Sequence, residues 1–160
     1  MGNSAVLRAG EVQRMSAGRG IVHSEINQTG APCRLLQIWI EPAQLGIQIQ
    51  PAYEQKPFAI GEGWTPLIEP NATGDAMAIE RAVRLWRAQP LCQQQLPLPD
   101  AKERRLWLQV IDGELTLNRE GSPKQALRRG DGVGLIQDTA TQSELIGLGE
   151  RADVLLFALA

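Results

Sequence analysis

Three short segments of this 160-residue chain recur in the same order near its other end, and that duplication constrains the architecture more than any other feature. Leu7-Arg-Ala-Gly-Glu-Val12 resembles Leu127-Arg-Arg-Gly-Asp-Gly-Val133, His23-Ser-Glu25 resembles Gln142-Ser-Glu144, and Arg34-Leu-Leu-Gln-Ile-Trp39 resembles Val154-Leu-Leu-Phe-Ala-Leu159. Gly10 and Gly130 lie 120 positions apart, as do Leu35 and Leu155, with a one-residue gap opened and closed between. A repeat of that length is a duplicated domain rather than a short solenoid unit. The second copy is preceded by Arg104–Asn118, whose equivalent in the first copy falls before Met1. The first unit is therefore expected to start midway, in a fragment or in a protein that has lost the front of its first barrel.

The repeated unit is built of strands. Twenty-six Gly and Pro residues cut the chain into short segments rich in Val, Ile, Leu and Trp. Leu35–Ile40, Leu106–Ile111, Leu115–Asn118, Val133–Gln137 and Val154–Leu159 read as strands, bounded by turn signals such as Asp112-Gly113 and Gly130-Asp-Gly132. Ala76–Ala88 could be argued as a helix, but its second part alternates at period 2 and reads as strand. Many short strands with turns between them predict a sandwich or small barrel.

Composition removes several classes of function. Sixteen Lys and Arg against eighteen Asp and Glu leave a net charge of −2, which advertises no nucleic-acid or anionic-membrane partner. The cluster Lys102-Glu-Arg-Arg105 is short and reads as a solvated turn. No apolar run reaches the roughly 18 residues of a membrane helix. Cys33 and Cys92 are isolated, which reads as two reduced thiols of a cytoplasmic protein or, alternatively, as a single disulfide. Trp39, Trp86 and Trp107 fall in apolar strands and are expected in the core, while Trp64 is expected to cover a barrel mouth.

The only histidine is His23, in Gly20-Ile-Val-His-Ser-Glu25. If this segment is a strand, His23 and Glu25 project to one face, as two ligands of one metal would. A neutral imidazole and a carboxylate suit Fe(II), Mn(II), Ni(II) or Zn(II), and redox work favours iron or copper. The competing reading makes them ordinary hydrogen-bonded or solvent-facing residues. Two facing copies could also bring two His and two Glu to one metal. Gln13, Met15 and Gln37 could line the interior by alternation, without an assigned role. Gly18 and Gly20 flank Arg19 in a turn that needs glycine backbone angles and sets the approach to His23.

Gly10-Glu-Val-Gln13, Met15-Ser-Ala-Gly18 and Gly20-Ile-Val-His-Ser-Glu25, together with Leu35–Pro42 and Pro51–Phe58, resemble the pirin family, specifically its bacterial quercetin 2,3-dioxygenase-like members. The resemblance runs essentially end to end. It implies an all-β bicupin of two RmlC-like jelly-roll barrels. It also implies an N-terminal cupin holding an iron-type metal through three His and one Glu, two of the His in a His-x-His motif. The third His and the Glu match His23 and Glu25. The His-x-His motif is absent here, and Gln142 stands where the repeat would place a histidine in the C-terminal cupin.

The expected organisation is an incomplete N-terminal cupin at 1–51, a linker at 52–75 and a nearly complete C-terminal cupin at 76–160. The expected function is a pirin-like protein with an incomplete metal site, iron weakly held or absent, and little or no turnover. No catalytic residue and no other cofactor-binding residue is assigned. The alternative is a metal-dependent, quercetin 2,3-dioxygenase-like oxidoreductase, its site completed by another chain or by a missing N-terminal segment and acting on a flavonol-like small molecule. Removing the front strands of a barrel exposes edges and apolar faces, so a homo-oligomer covering the open barrel is expected.

Overall fold

A computed structural model of the chain describes residues 4–42, 49–72, 74–100, 105–136 and 143–160. Ten strands run in chain order: β1 (Glu11–Ser16), β2 (Ala52–Pro57), β3 (Thr65–Glu69), β4 (Met77–Ala78), β5 (Val83–Ala88), β6 (Gln95–Pro97), β7 (Arg105–Arg119), β8 (Gln125–Arg128), β9 (Gly132–Ile136) and β10 (Ser143–Leu159). No helix occurs among the described residues, and none is long and apolar enough to cross a membrane. β1 and β2 form a two-stranded antiparallel sheet; the remaining strands form an eight-stranded sheet in the order β4-β3-β5-β10-β7-β8, with β6 on β10 and β9 on β7.

Two long strands organise the large sheet. The first part of β7 pairs with β9 and its second part with β8; the first part of β10 pairs with β6 and its second part with β5. Each strand therefore serves both walls of a closed core, and each must bend to do so. The bend is a pair of irregularities where β7 meets β10, between Leu148 and Val154. Core-facing residues in β7 are Leu106, Leu108 and Val110 before it, and Leu115 and Leu117 after it. In β10 they are Leu145 before it, and Ala152, Val154, Leu156 and Ala158 after it. The inward parity flips across the irregularity in both strands, because an inserted residue reverses which alternate side chains face the core.

Asp112-Gly113, expected as a turn between two strands, is thus a bulge inside one continuous strand. Gly113 has a φ of +74°, and a Cβ there would lie 2.5 Å from the Arg151 carbonyl oxygen. Only glycine combines that backbone conformation with that approach. Close by, Arg87 grips Asp153 through Nε at 2.9 Å and Nη2 at 2.6 Å, and Gln89 Nε2 donates to the same carboxylate at 3.1 Å. The hydrogen bond to Asp153 raises the Arg87 pKa above the ordinary guanidinium value despite partial burial. That two-pronged pair fixes β5 to β10 where β10 leaves its bend.

The interior holds Trp86, Ala88, Leu96, Leu98, Leu127 and Leu135 beside the β7 and β10 residues, with Trp64 packed on it. Trp64 also donates its indole N–H to the Pro97 carbonyl at 2.8 Å. A second cluster forms on the outer face: Phe58, Leu67, Ile68, Met77, Leu85 and Leu155, joined by Val12, Ile60, Ile79, Ile111 and Phe157. Val12 belongs to β1, so this cluster is where the small sheet docks on the large one. The stretch 52–75, expected as a linker, supplies β2 to the small sheet and β3 to the large one.

The repeat is visible in hydrogen bonds. Arg8 N–H donates to Glu11 Oε2 at 2.6 Å and Glu11 N–H returns to the Arg8 carbonyl at 3.0 Å. Arg128 N–H donates to Asp131 Oδ2 at 2.9 Å and Asp131 N–H returns to the Arg128 carbonyl at 2.9 Å. Gly10 and Gly130 carry positive φ at the same point of each turn, +85° and +93°. The two turns deliver β1 and β9.

Farther along, the copies diverge. Val154–Leu159 is core strand, whereas Leu35–Ile40, expected as its mate, joins no ladder and is exposed over Leu35–Trp39. Trp39 is 85% exposed, against the core position expected for it, because no described strand covers either side of its segment. Trp107, also expected in the core, is 42% exposed; it sits on the outward parity of β7, with its ring where a Cβ of Gly132 would be. Trp86 is buried as expected. Cys33 and Cys92 are free and exposed. Gln137, Gln142 and Lys102–Arg104 lie outside the described residues.

Candidate metal centre

The small sheet presents two faces by strand alternation. With Gln13 opposite Gln55, Met15 opposite Tyr53 and Glu11 opposite Pro57, one face carries Glu11, Gln13, Met15, Tyr53 and Gln55. The other carries Val12, Arg14 and Ser16 against Lys56, Glu54 and Ala52, and turns Val12 into the docking cluster. On that second face Arg14 donates to Ser16 Oγ at 2.8 Å and to Glu54 at 3.3 Å.

The first face is an ordered polar surface. Gln55 Nε2 donates to Glu11 Oε2 and to the Val6 carbonyl, each at 2.9 Å. Tyr53 Oη donates to Gln55 Oε1 at 2.5 Å and lies 3.4 Å from Gln13 Oε1. A phenol has one proton, so the shorter contact takes it. Gln13 Nε2 then donates to Glu25 Oε1 at 2.6 Å. Only the NH2 end of an amide can face a carboxylate, which settles the orientation of Gln13. Two pieces lie side by side: Glu11, Gln55 and Tyr53 are hydrogen-bonded in a row, and Gln13 is hydrogen-bonded to Glu25, with no proton between Tyr53 Oη and Gln13 Oε1.

Gly18 and Gly20 bring the chain from β1 to His23. Both have positive φ, +52° and +118°. Arg19 N–H donates to the Ile49 carbonyl at 2.8 Å, and a Cβ on Gly18 would run into that carbonyl. The expected glycine turn is present. The strand expected for Gly20–Glu25 is not: residues 17–42 join no ladder. A strand needs a partner to satisfy its N–H and C=O groups, and no described strand runs beside this one.

His23 and Glu25 are both exposed. Two residues of extended chain span at most about 7 Å, so the two side chains can reach a common ion, but no pleat obliges them to face one way. The structure orders one of the pair: Glu25 is tied to the small sheet through Gln13, while His23 has no hydrogen-bond partner among the described residues. No group of three His, Cys, Asp or Glu that could hold a metal occurs among the described residues. The donor set fits a divalent first-row metal in kind, one imidazole nitrogen and one carboxylate, and fills only part of its coordination sphere.

Of Gln13, Met15 and Gln37, which could line the interior by alternation, the first two share this half-buried face. Gln37 lies exposed on the segment without a ladder. Glu11, Tyr53 and Gln55 of the half-buried face carried no expectation. The alternation in Glu11-x-Gln13-x-Met15 and Tyr53-x-Gln55 was the available signal. Farther on, Arg34 Nη2 donates to Asp112 Oδ2 at 3.1 Å, tying the unpaired segment to the bulge of β7. That bond, followed by the Gly113 N–H, holds the Asp112 carboxyl below its ordinary value of 3.8. A lowered carboxyl stabilises fully above its ordinary value and stops doing so as pH falls through the lowered one. The tether is therefore intact at neutral pH and weakens as pH falls through the lowered carboxyl value.

The family model described as Pirin matches residues 1–40, and that of the quercetinase C-terminal cupin domain matches residues 67–159. A protein of Pasteurella multocida is 39% identical over 162 residues, covering 99% of this chain and 65% of its own. The quercetin 2,3-dioxygenase of Escherichia coli is 40% identical over 119 residues, covering 74% of this chain and 51% of its own. The crystal structure of YhhW from Escherichia coli superposes with a TM-score of 0.84 at 35% identity, covering 100% of this chain and 64% of that one. The bacterial pirin YhhW in complex with nickel(II) superposes at 0.78 and 33% identity, covering 99% and 65%. The chain thus spans about half to two thirds of the length of the relatives it matches.

Proposed function

The chain belongs to the pirin family, with an all-β fold whose C-terminal part is a cupin domain, and we propose that it carries part of a pirin-type metal site with little or no oxygenase turnover of its own. The observation that carries this reading is the short donor set: His23 and Glu25, exposed, with no third ligand among the described residues. His23 would supply a neutral nitrogen and Glu25 a carboxylate oxygen steadied by Gln13. A bound metal would supply redox and Lewis-acid chemistry, with iron the favoured ion. Oxygenase chemistry also needs a pocket that excludes bulk water, and two exposed side chains do not make one.

Oxygen uptake with quercetin and added Fe(II) tests the reading. The expected rate equals that of Fe(II) alone. Protein-dependent uptake that disappears in His23→Ala would replace it with the second reading, a quercetin 2,3-dioxygenase-like oxidoreductase acting on a flavonol-like molecule. What favours that second reading is the quercetin 2,3-dioxygenase among its relatives. The remaining ligands would then come from another chain or another segment.

The same proposal makes the protein a homo-oligomer. Val22, Ile26, Leu35, Leu36, Ile38 and Trp39 are all exposed along one stretch without ladder partners. Apolar residues on both alternations of a segment are the pattern of a strand covered on both faces. A second copy supplies cover of the same chemistry. Multi-angle light scattering should return at least twice the 17.5 kDa chain mass, and a monodisperse monomer would sink this part. The proposal includes no nucleic-acid or membrane partner and, with two free thiols, a cytoplasmic setting.

A further inference from the structure

We propose that Gln13 is the positioning residue of the His23–Glu25 site: its amide pins one oxygen of Glu25, so that the other is the oxygen offered to a divalent metal. This rests on the reading of His23 and Glu25 as metal ligands and adds the residue that makes one of them competent.

An exposed glutamate on a segment without a ladder samples several rotamers, and ordering it on a metal costs entropy. In this chain that ordering is done beforehand. Gln13 Nε2 holds Glu25 Oε1 at 2.6 Å, and Gln13 projects from β1, which β2 pairs along its whole length. Behind Gln13 stand Tyr53 and Gln55, the latter fixed to Glu11 and to the Val6 carbonyl. Glu25 Oε2 accepts no bond among the described residues. A ligating carboxylate held by an outer partner through one oxygen is the usual support of a metal ligand, and loss of such a partner typically costs about 10–100-fold in metal affinity.

Gln13→Glu is a second probe of the same contact. It keeps the size of the side chain but replaces the donor by a carboxylate, so Glu25 Oε1 loses its hydrogen bond and faces a like charge. A purely structural role for Gln13 would change stability in both variants and leave metal affinity unchanged.

The test is equilibrium dialysis of the full chain against Ni(II), with melting temperature recorded with and without the metal. The variants are His23→Ala, Gln13→Ala and Gln13→Glu. The expected result is Ni(II) affinity about tenfold or more weaker in Gln13→Ala. In Gln13→Glu, which keeps the size but not the donor, we expect a comparable loss of affinity and a smaller Ni(II)-induced rise in melting temperature than in wild type. Wild-type affinity in Gln13→Ala, with binding lost in His23→Ala, would overturn the role of Gln13 alone. Equal binding by wild type and His23→Ala would overturn the ligand pair itself. Should Gln13→Ala fail to fold, the isosteric Gln13→Glu decides: weakened Ni(II) binding supports the role of Gln13, and wild-type or tighter binding overturns it.

Discussion

Leu156→Ala is expected to cost about 2–5 kcal/mol of stability, and Leu36→Ala, at the matching position of the repeat, less than about 0.5 kcal/mol. Leu156 is 0% exposed in the middle of β10, paired with Trp86 of β5 on one side and Leu108 of β7 on the other, all three in the interior cluster. Truncating it removes buried methyl groups and leaves a cavity that two flanking strands cannot collapse into. Leu36 carries the same side chain in the same local sequence, yet is 52% exposed and has no ladder. At about 2–4 °C per kcal/mol, the first substitution lowers the melting temperature by roughly 4–20 °C. Thermal unfolding followed by circular dichroism, at a concentration where the chain is monomeric, reads both. A comparable loss in Leu36→Ala would mean that the 35–40 segment is a buried strand after all.

That contrast shows what the amino-acid pattern reveals and where it stops. The equivalence of Leu7–Val12 and Leu127–Val133 was legible because both carry the glycine and the acidic residue, and both features do the same work in the structure. β5, β9 and the second half of β10 were legible as short apolar stretches bounded by turn signals, and in β5 and β10 apolar residues on both alternations pack on the interior and on the outer cluster. The bulge at Asp112-Gly113 was not legible as such: a glycine with positive φ serves a turn and a bulge equally, and what separates them is the approach of Arg151, distant in sequence. The exposure of Trp39 and Trp107 was hidden for a related reason. Alternation says which side chains share a face, and only the neighbouring strands say whether that face is covered.

The metal site divides the same way. His23 and Glu25 stood out because imidazole and carboxylate two residues apart carry their chemistry in their identities. Their strand did not form, since pairing is supplied from elsewhere in a sheet. The shared face of Glu11, Gln55, Tyr53 and Gln13 depends on the register of β1 against β2, joined across about 40 residues of chain that no local pattern spans.

The second large effect is expected at His23 itself. His23→Ala should weaken Ni(II) binding by more than the roughly 10–100-fold that loss of an outer partner costs, because it removes the only imidazole in the chain. Glu25→Ala should match it in direction, while leaving Gln13 to water. Neither should shift the melting temperature of the metal-free protein by more than a degree or two, since both side chains are exposed and pack on nothing buried. Titration calorimetry with Ni(II), paired with thermal unfolding of the metal-free chains, checks both statements together.

The most direct measurement of the central claim is the iron content of the protein by elemental analysis, after anaerobic reconstitution with Fe(II) and desalting, for wild type and His23→Ala side by side. A site of two protein ligands releases its metal on desalting, so both samples should hold far less than one iron per chain and differ little. Close to one iron per wild-type chain, lost in His23→Ala, would contradict the account: the site would then be complete, with its other ligands supplied by a partner.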